Sequence, residues 1–439
     1  MTEKDFFALI CASVNLNRTI VSKDSDLFVS KLLQFMPSGE VLRYPSGIHS
    51  SNWFIPNSWD PAVSTLKNLS TGIEILNSDI HPLFIAPYSK PCHLVFKKKE
   101  LLNHVSTVPD RPEAFKYQHR LAYNPEKNLK EISISIPSSV IDLMDAESDY
   151  ELVIKAETPP SSMKIFRASL KGTNPETVYL LSHYCHVGQL NDGLGGVYVM
   201  GRVFQEMRNR GHELKNSYVW LALPETIGST VYLSESQDEI PVALFSLFSE
   251  MPGAESSIRV TNSRKSNTYI DRIFRFLLEE SNLKFDNVDF RKGWGNDEMV
   301  FDSPTVGIPS ISVDRAPFKH YHLSTDNEEN FKIDKAEEIV SLIIKGLEIV
   351  EQDFIPKPNF IAPPQLSLLG LYEDWTTNRS GYDKVMNMLD ETVGNLSVFD
   401  IARSYNISLE NAFEFFNELY ANNLIEKIPI SPNYSRLVM

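Results

Sequence analysis

TVYLLSHYCHVGQLNDGLGGVYV, Thr177–Val199, is the stretch whose reading decides the fold. Thr177–His183 is almost uninterruptedly apolar, as a strand buried on both faces requires. A polar turn follows, and Gly193, Gly195 and Gly196 then open a helix expected over Gly196–Arg210. Glycines there let a helix start close against a sheet. Strand, polar turn and glycine-led helix together form the repeating unit of an α/β protein.

Outward from this unit the same alternation continues. SYVWLAL (Ser217–Leu223) and VALFSLF (Val242–Phe248) are further continuous apolar strands. Helical spacing is predicted at Thr268–Glu280 and Lys335–Glu351. EISISIP (Glu131–Pro137), ELVIKAE (Glu151–Glu157) and KIFRASLKG (Lys164–Gly172) alternate with period two, which marks half-buried strands. Residues 1–40 read as helical, with Leu27, Phe28, Val29, Leu32, Leu33 and Phe35 as the buried stripe. From Leu42 to Pro125 frequent prolines break the chain into short strand-like pieces such as His93–Phe96. The fold class is therefore α/β, a mixed central sheet flanked by helices. The expected division is a core of 1–41 and 126–354, a small β-rich insert at 42–125, a proline-rich linker at Ile355–Gln365 and a C-terminal unit at 366–439. In that last unit, LSVFDIARSYNISLENAFEFFNELYANNLIEK (Leu396–Lys427) has helix–turn–helix texture, and a terminal strand pair would complete a winged helix.

The 439 residues carry 42 basic and 57 acidic side chains, a formal charge of −15. A nucleic-acid surface needs clustered Lys and Arg, so no nucleic-acid partner is expected. The helix–turn–helix does not change this, because Glu410, Glu414 and Glu418 line one face of its second helix, where a reader of bases presents Arg, Lys, Asn or Gln. Three widely spaced cysteines, Cys11, Cys92 and Cys185, make no disulfide framework. No apolar run is long enough to span a membrane. A cytoplasmic protein without a membrane partner is expected.

In an open α/β sheet, ligands bind beyond the carboxyl ends of the strands. Polar residues follow each apolar strand at that edge. His183 and His186 come after the first, Asp192 opens the glycine-led helix, Glu225 lies in PETIGS, Glu250 in EMPG, and His320 and His322 in KHYHLSTDN. Imidazole with carboxylate suits zinc. Individually each has a plainer role: Asp192 as a helix N-cap, Glu225 as a loop acid, Cys185 as a small buried side chain. Convergence at one sheet edge is what argues for a metal centre. The candidate ligands are His183 or His186, Asp192, Glu250 and, in the last loop, His320 or His322, with one or two zinc ions. Glu225 is the expected general base, with a place among the metal ligands as its alternative, and Tyr321 or a backbone N–H is a candidate to steady the oxyanion. Asp297 and Glu298 in GWGNDEM offer a second carboxylate at the rim. Lys319, Arg315 and Arg291 are candidates to hold a substrate carboxylate.

HYCH…NDGLGG, PETIGS, GNDE and YHLSTDN together resemble a bacterial family of aminopeptidase-like-domain proteins, often encoded beside polysaccharide or natural-product biosynthesis genes. That family is similar to the zinc aminopeptidases, the glutaminyl cyclases and the transferrin-receptor ectodomain. The resemblance implies the inserted β domain and the C-terminal winged helix. It also implies His183, Asp192 and His322 as ligands, with Cys185 standing where those enzymes hold an aspartate that orients a ligand. His186 competes with His183. Two departures stand out: Glu225 is a single glutamate where relatives have two, and Glu250 stands where aspartate is common.

The leading expectation is a zinc-dependent hydrolase cleaving an amide bond, acting on a short peptide or a small biosynthetic intermediate, with a homo-oligomer as a further expectation. Its rivals are a catalytically inactive scaffold of the same fold and a ligand-sensing regulator acting through the winged helix.

Overall fold

A computed structural model describes residues 3–118, 131–210 and 214–439. Its centre is an eight-stranded mixed sheet. In chain order the strands are β1 (Glu40–Pro45), β2 (Ser162–Leu170), β3 (Thr177–His183), β4 (Ser217–Leu223), β5 (Ala243–Phe248), β6 (Ile258–Thr261), β7 (Phe285–Val288) and β8 (Ser310–Arg315). Across the sheet they run β1-β2-β4-β3-β5-β8-β6-β7. The middle four, β4, β3, β5 and β8, are mutually parallel, so their carboxyl ends share one edge.

Every side chain of β3 and β5 is buried, because helices cover both faces. On one face Val178 and Leu180 pack with helices α1 (Glu3–Cys11), α2 (Lys23–Phe35), α3 (Gly196–Arg210), α5 (Tyr269–Glu280) and α7 (Ile333–Gln352). On the other, Tyr179 and Leu181 pack with α4 (Ile227–Glu235) and α6 (Asp297–Phe301). The two-residue period of the strand thus feeds two cores. One residue of the expected N-terminal stripe departs: Leu27 is 46% exposed, while Phe28, Val29, Leu32 and Phe35 are buried.

The small sheet draws its strands from a wider span than 42–125. It has the order Glu74–Asn77, Thr65–Asn68, Asp149–Ile154, Cys92–Lys97. The strand expected at Glu151–Glu157 within the core forms at Asp149–Ile154 and pairs in this small sheet, and Glu40–Pro45 edges the main sheet. The boundary expected at 125/126 falls outside the described residues. Of the predicted Glu131–Pro137 strand, only Ile134–Ser135 pairs, with Val105–Ser106.

After α7 the chain forms α8 (Arg379–Asp390), α9 (Val398–Ser404) and α10 (Leu409–Ala421) around their own core of Val398, Ile401, Phe415, Phe416 and Leu419. The strand Ile425–Ile428 follows α10, and its partner is Ile355–Pro358 at the start of the unit, where sequence predicted a second C-terminal strand and an irregular linker. Among the described residues no helix is long and apolar enough to cross a membrane.

Candidate metal centre

The parallel register brings the carboxyl ends of β3 and β4 level, His183 opposite Leu223. Glu225 follows two residues on, and Glu250 lies two residues past the end of β5. Asp192 is presented by a break in the chain before α3. Its own backbone leaves the helical region, and Gly193 takes φ 97°, which a side chain would oppose. Gly196 is needed for packing: a Cβ there would sit 1.9 Å from the Ser249 carbonyl oxygen. Asp326 fixes the turn from behind, its carboxylate accepting the N–H groups of Asn191 (2.8 Å) and Asp192 (2.9 Å).

Two groups of possible ligands share Asp192, and a third, His183, Cys185 and His186, links them. His183, Asp192 and Glu250 make the first set and His186, Asp192 and His322 the second, the ligand atoms of each lying within 4.8 Å of one another. In the first, His183 Nε2 is 3.0 Å from Glu250 Oε2 and 3.8 Å from Asp192 Oδ1. In the second, His322 Nε2 is 3.1 Å from Asp192 Oδ2. Both competing histidines are therefore in the cluster, His183 Nδ1 and His186 Nδ1 being 3.1 Å apart. Glu225 stands beside the second set, 3.7 Å from His186 Nε2, and is partly open to solvent.

A divalent cation fits this donor set. His183, His186, Asp192 and Glu250 are almost wholly buried, and Glu250 Oε1 has no hydrogen-bond partner among the described residues. Two buried carboxylates side by side demand positive charge. Burial drives the Glu250 pKa well above the usual carboxylate range although His183 pulls the other way. Burial would lower His183, yet Cys185 and Glu250 hold its proton and raise it well above an ordinary histidine. Burial would raise Asp192, but the surrounding His186, His322 and His183 keep it well below its usual value. A divalent cation would supply the positive charge that these buried carboxylates call for.

Other predicted residues take other places. Asp297 is buried and caps α4, accepting from Thr226 N (2.9 Å) and Ser229 Oγ (2.6 Å); burial lifts its pKa to about 6. Glu298 folds back onto Asn296 N at 3.1 Å. Neither belongs to the two sets: Asp297 is engaged by the start of α4, and Glu298 by the neighbouring Asn296 N–H. Arg315 is buried too, donating to the Ser256 and Lys335 carbonyls and to Glu338, so it cannot hold substrate. Lys319 and Arg291 lie on the surface. Tyr321 is at the rim, 40% exposed, stacked on His322 at 3.9 Å and on Trp294 at 4.8 Å.

Three supporting residues gave no signal in sequence. Arg18 is fully buried and donates to the backbone carbonyls of Ser13, Tyr184, His186 and Gln189, pinning the turn between the two histidines. Asp326 appears in the quoted STDN, but nothing in that string announces a carboxylate aimed at backbone N–H groups. Tyr117 reaches in from the inserted module. Cys185 Sγ accepts from Glu225 N at 3.1 Å, tying the β4 loop to the histidine turn.

A mixed sheet flanked by helices, its parallel strands ending at one rim, is the zinc-aminopeptidase-like fold. Solved structures bear this out. A zinc aminopeptidase from Bacillus subtilis superposes with TM-score 0.55 at 15% identity, over 79% of this chain and 94% of that one. A provisionally assigned peptidase from Clostridium acetobutylicum superposes with TM-score 0.83 at 22% identity, over 97% and 96%. The chain belongs to the family described as domain of unknown function DUF4910, whose model matches residues 7–353. A relative in Clostridium acetobutylicum, 24% identical over 89% of this chain and 88% of its own length, is provisionally named for polysaccharide biosynthesis with an aminopeptidase-like domain.

Proposed function

We propose that this chain is a zinc-dependent hydrolase that cleaves an amide bond, in a short peptide or in an acyl or aminoacyl amide of a biosynthetic intermediate. The carrying observation is that Asp192 is common to two ligand sets. With His186 in the second set, Glu225 is not required as a ligand and is left for proton transfer, which answers the single glutamate after β4. His183, Asp192 and Glu250 would hold one ion, and His186, Asp192 and His322 the other. Zinc bound there supplies Lewis acidity toward a carbonyl and lowers the pKa of water. Glu225 Oε2 accepts the proton of the water that adds to the carbonyl carbon and returns it to the departing amine. Tyr321, beside His322 on the solvent side, is placed to meet the substrate. A cytoplasmic setting suits the three unpaired cysteines.

The rival reading, a non-catalytic binding module, draws on that same single glutamate. One comparison separates them: zinc content by elemental analysis and aminoacyl-amide hydrolysis, for the wild type and Glu225→Gln. The hydrolase reading expects unchanged zinc and a loss of turnover of about 10²–10⁴-fold, the usual worth of a general base. A wild type that holds zinc but hydrolyses no member of an aminoacyl and N-acyl amide panel supports the binding module.

A further inference from the structure

We propose that Tyr117, delivered by the inserted β module, is a positioning residue that makes the ion position of His186, Asp192 and His322 dependent on the insert. This rests on the two-ion reading above. Tyr117 is 4% exposed, and its ring touches both histidines of that set. Ring centroids are 4.9 Å apart for His186, and 5.0 Å apart for His322 in an edge-on contact. Its hydroxyl donates to the Cys185 carbonyl at 3.5 Å, inside the turn that separates His183 from His186.

Backbone pairing makes the arrangement specific. Tyr117 N donates to the His322 carbonyl at 2.8 Å, and Ser324 N to the Phe115 carbonyl at 2.8 Å. Phe115 N donates to Ser324 Oγ at 3.0 Å, and Lys116 bridges Leu323. The insert is thus zipped to the loop that carries His322. That loop needs a brace, because His322 holds φ 58°, a left-handed conformation costly for a histidine and kept only where the surroundings over-determine it. The edge-on ring of Tyr117 and the stacked ring of Tyr321 both pack against the His322 ring. The first set is supported differently: His183 leans on Phe248 of β5 at 5.8 Å, and Glu250 accepts from Asn296 Nδ2 at 2.6 Å. The two ion positions therefore answer to different parts of the fold, one to the sheet and one to the insert.

The test is a cobalt(II) titration of the chelator-stripped full chain, followed by visible absorption and elemental stoichiometry. Circular dichroism melting of each variant confirms folding. Wild type should take two equivalents. Tyr117→Ala should bind one equivalent as wild type does and the other about 10–100-fold more weakly, the usual cost of losing a ligand's support. Tyr117→Leu, which keeps much of the volume, should behave alike and decides the matter if the alanine variant does not fold. Tyr117→Phe, which keeps the ring, should restore both. Two equivalents of wild-type affinity in a folded Tyr117→Ala or Tyr117→Leu would overturn the inference, as would equal weakening of both. A wild type that takes fewer than two equivalents refutes the two-ion reading itself, a separate outcome.

Discussion

Asp192 carries more of the site than any other residue, because both ligand sets pass through its carboxylate. Asp192→Asn keeps the size and the backbone N–H donation to the Asp326 carboxylate but removes the charge. It should abolish the binding of both metal equivalents, whereas Glu250→Gln should weaken one; calorimetric zinc titration of the two variants checks this. His183, His186, Asp192, Glu250 and His322 all lie in the cluster and were legible because strand ends are visible in a sequence. His183 and His186 could not be ranked there, since three residues on a turn place both toward one point. Tyr117 and Arg18 were out of reach for another reason: they act through rings and backbone carbonyls from distant segments, and no spacing rule reports such contacts. Asp297 and Glu298 looked like ligands by composition. The start of α4 engages Asp297 instead, and the adjacent Asn296 N–H engages Glu298.

Among the elements, β3, β4 and β5 begin and end within a residue of their predicted limits, because continuous apolar runs have sharp edges. The strand expected at Glu151–Glu157 was put in the wrong sheet for a related reason. Alternation with period two reports one-sided burial and says nothing of which sheet does the burying. The distorted turn Asn191–Gly195 was foreseen only as a glycine-rich helix start, yet its close approach is testable. Gly196→Ala would drive a Cβ against the Ser249 carbonyl oxygen, forcing α3 away from the end of β5. It should lower stability by about 1–3 kcal/mol, read by urea unfolding, and weaken metal binding because the Ser249–Glu250 backbone must shift.

On the scale of the whole molecule, the C-terminal unit is docked through a buried ion pair and hydrogen bonds. Arg272 grips Asp400 with two contacts of 2.7 and 2.8 Å. Tyr269 Oη donates to Asp353 at 2.8 Å, as does Phe399 N at 3.0 Å. Burial raises the Asp353 pKa to about 6. Its protonated form is thus favoured on folding, so the penalty is absent below about pH 4, grows as pH rises through 6, and is complete above it. Asp353→Asn should remove that pH dependence. The stability difference between variant and wild type should move in favour of the variant, by an amount on the order of 3 kcal/mol, between pH 4 and 7, as followed by chemical denaturation.

The pairing of Ile355–Pro358 with Ile425–Ile428 means that the last unit is fastened at its own doorway. Its first and final strands clasp each other, so everything between them is a closed hoop of chain. A single protease nick near the fully exposed Ile361 would open the hoop and still release no fragment, since each severed end remains stitched to the other through that ribbon. Native mass would stay unchanged while a denaturing gel shows two bands.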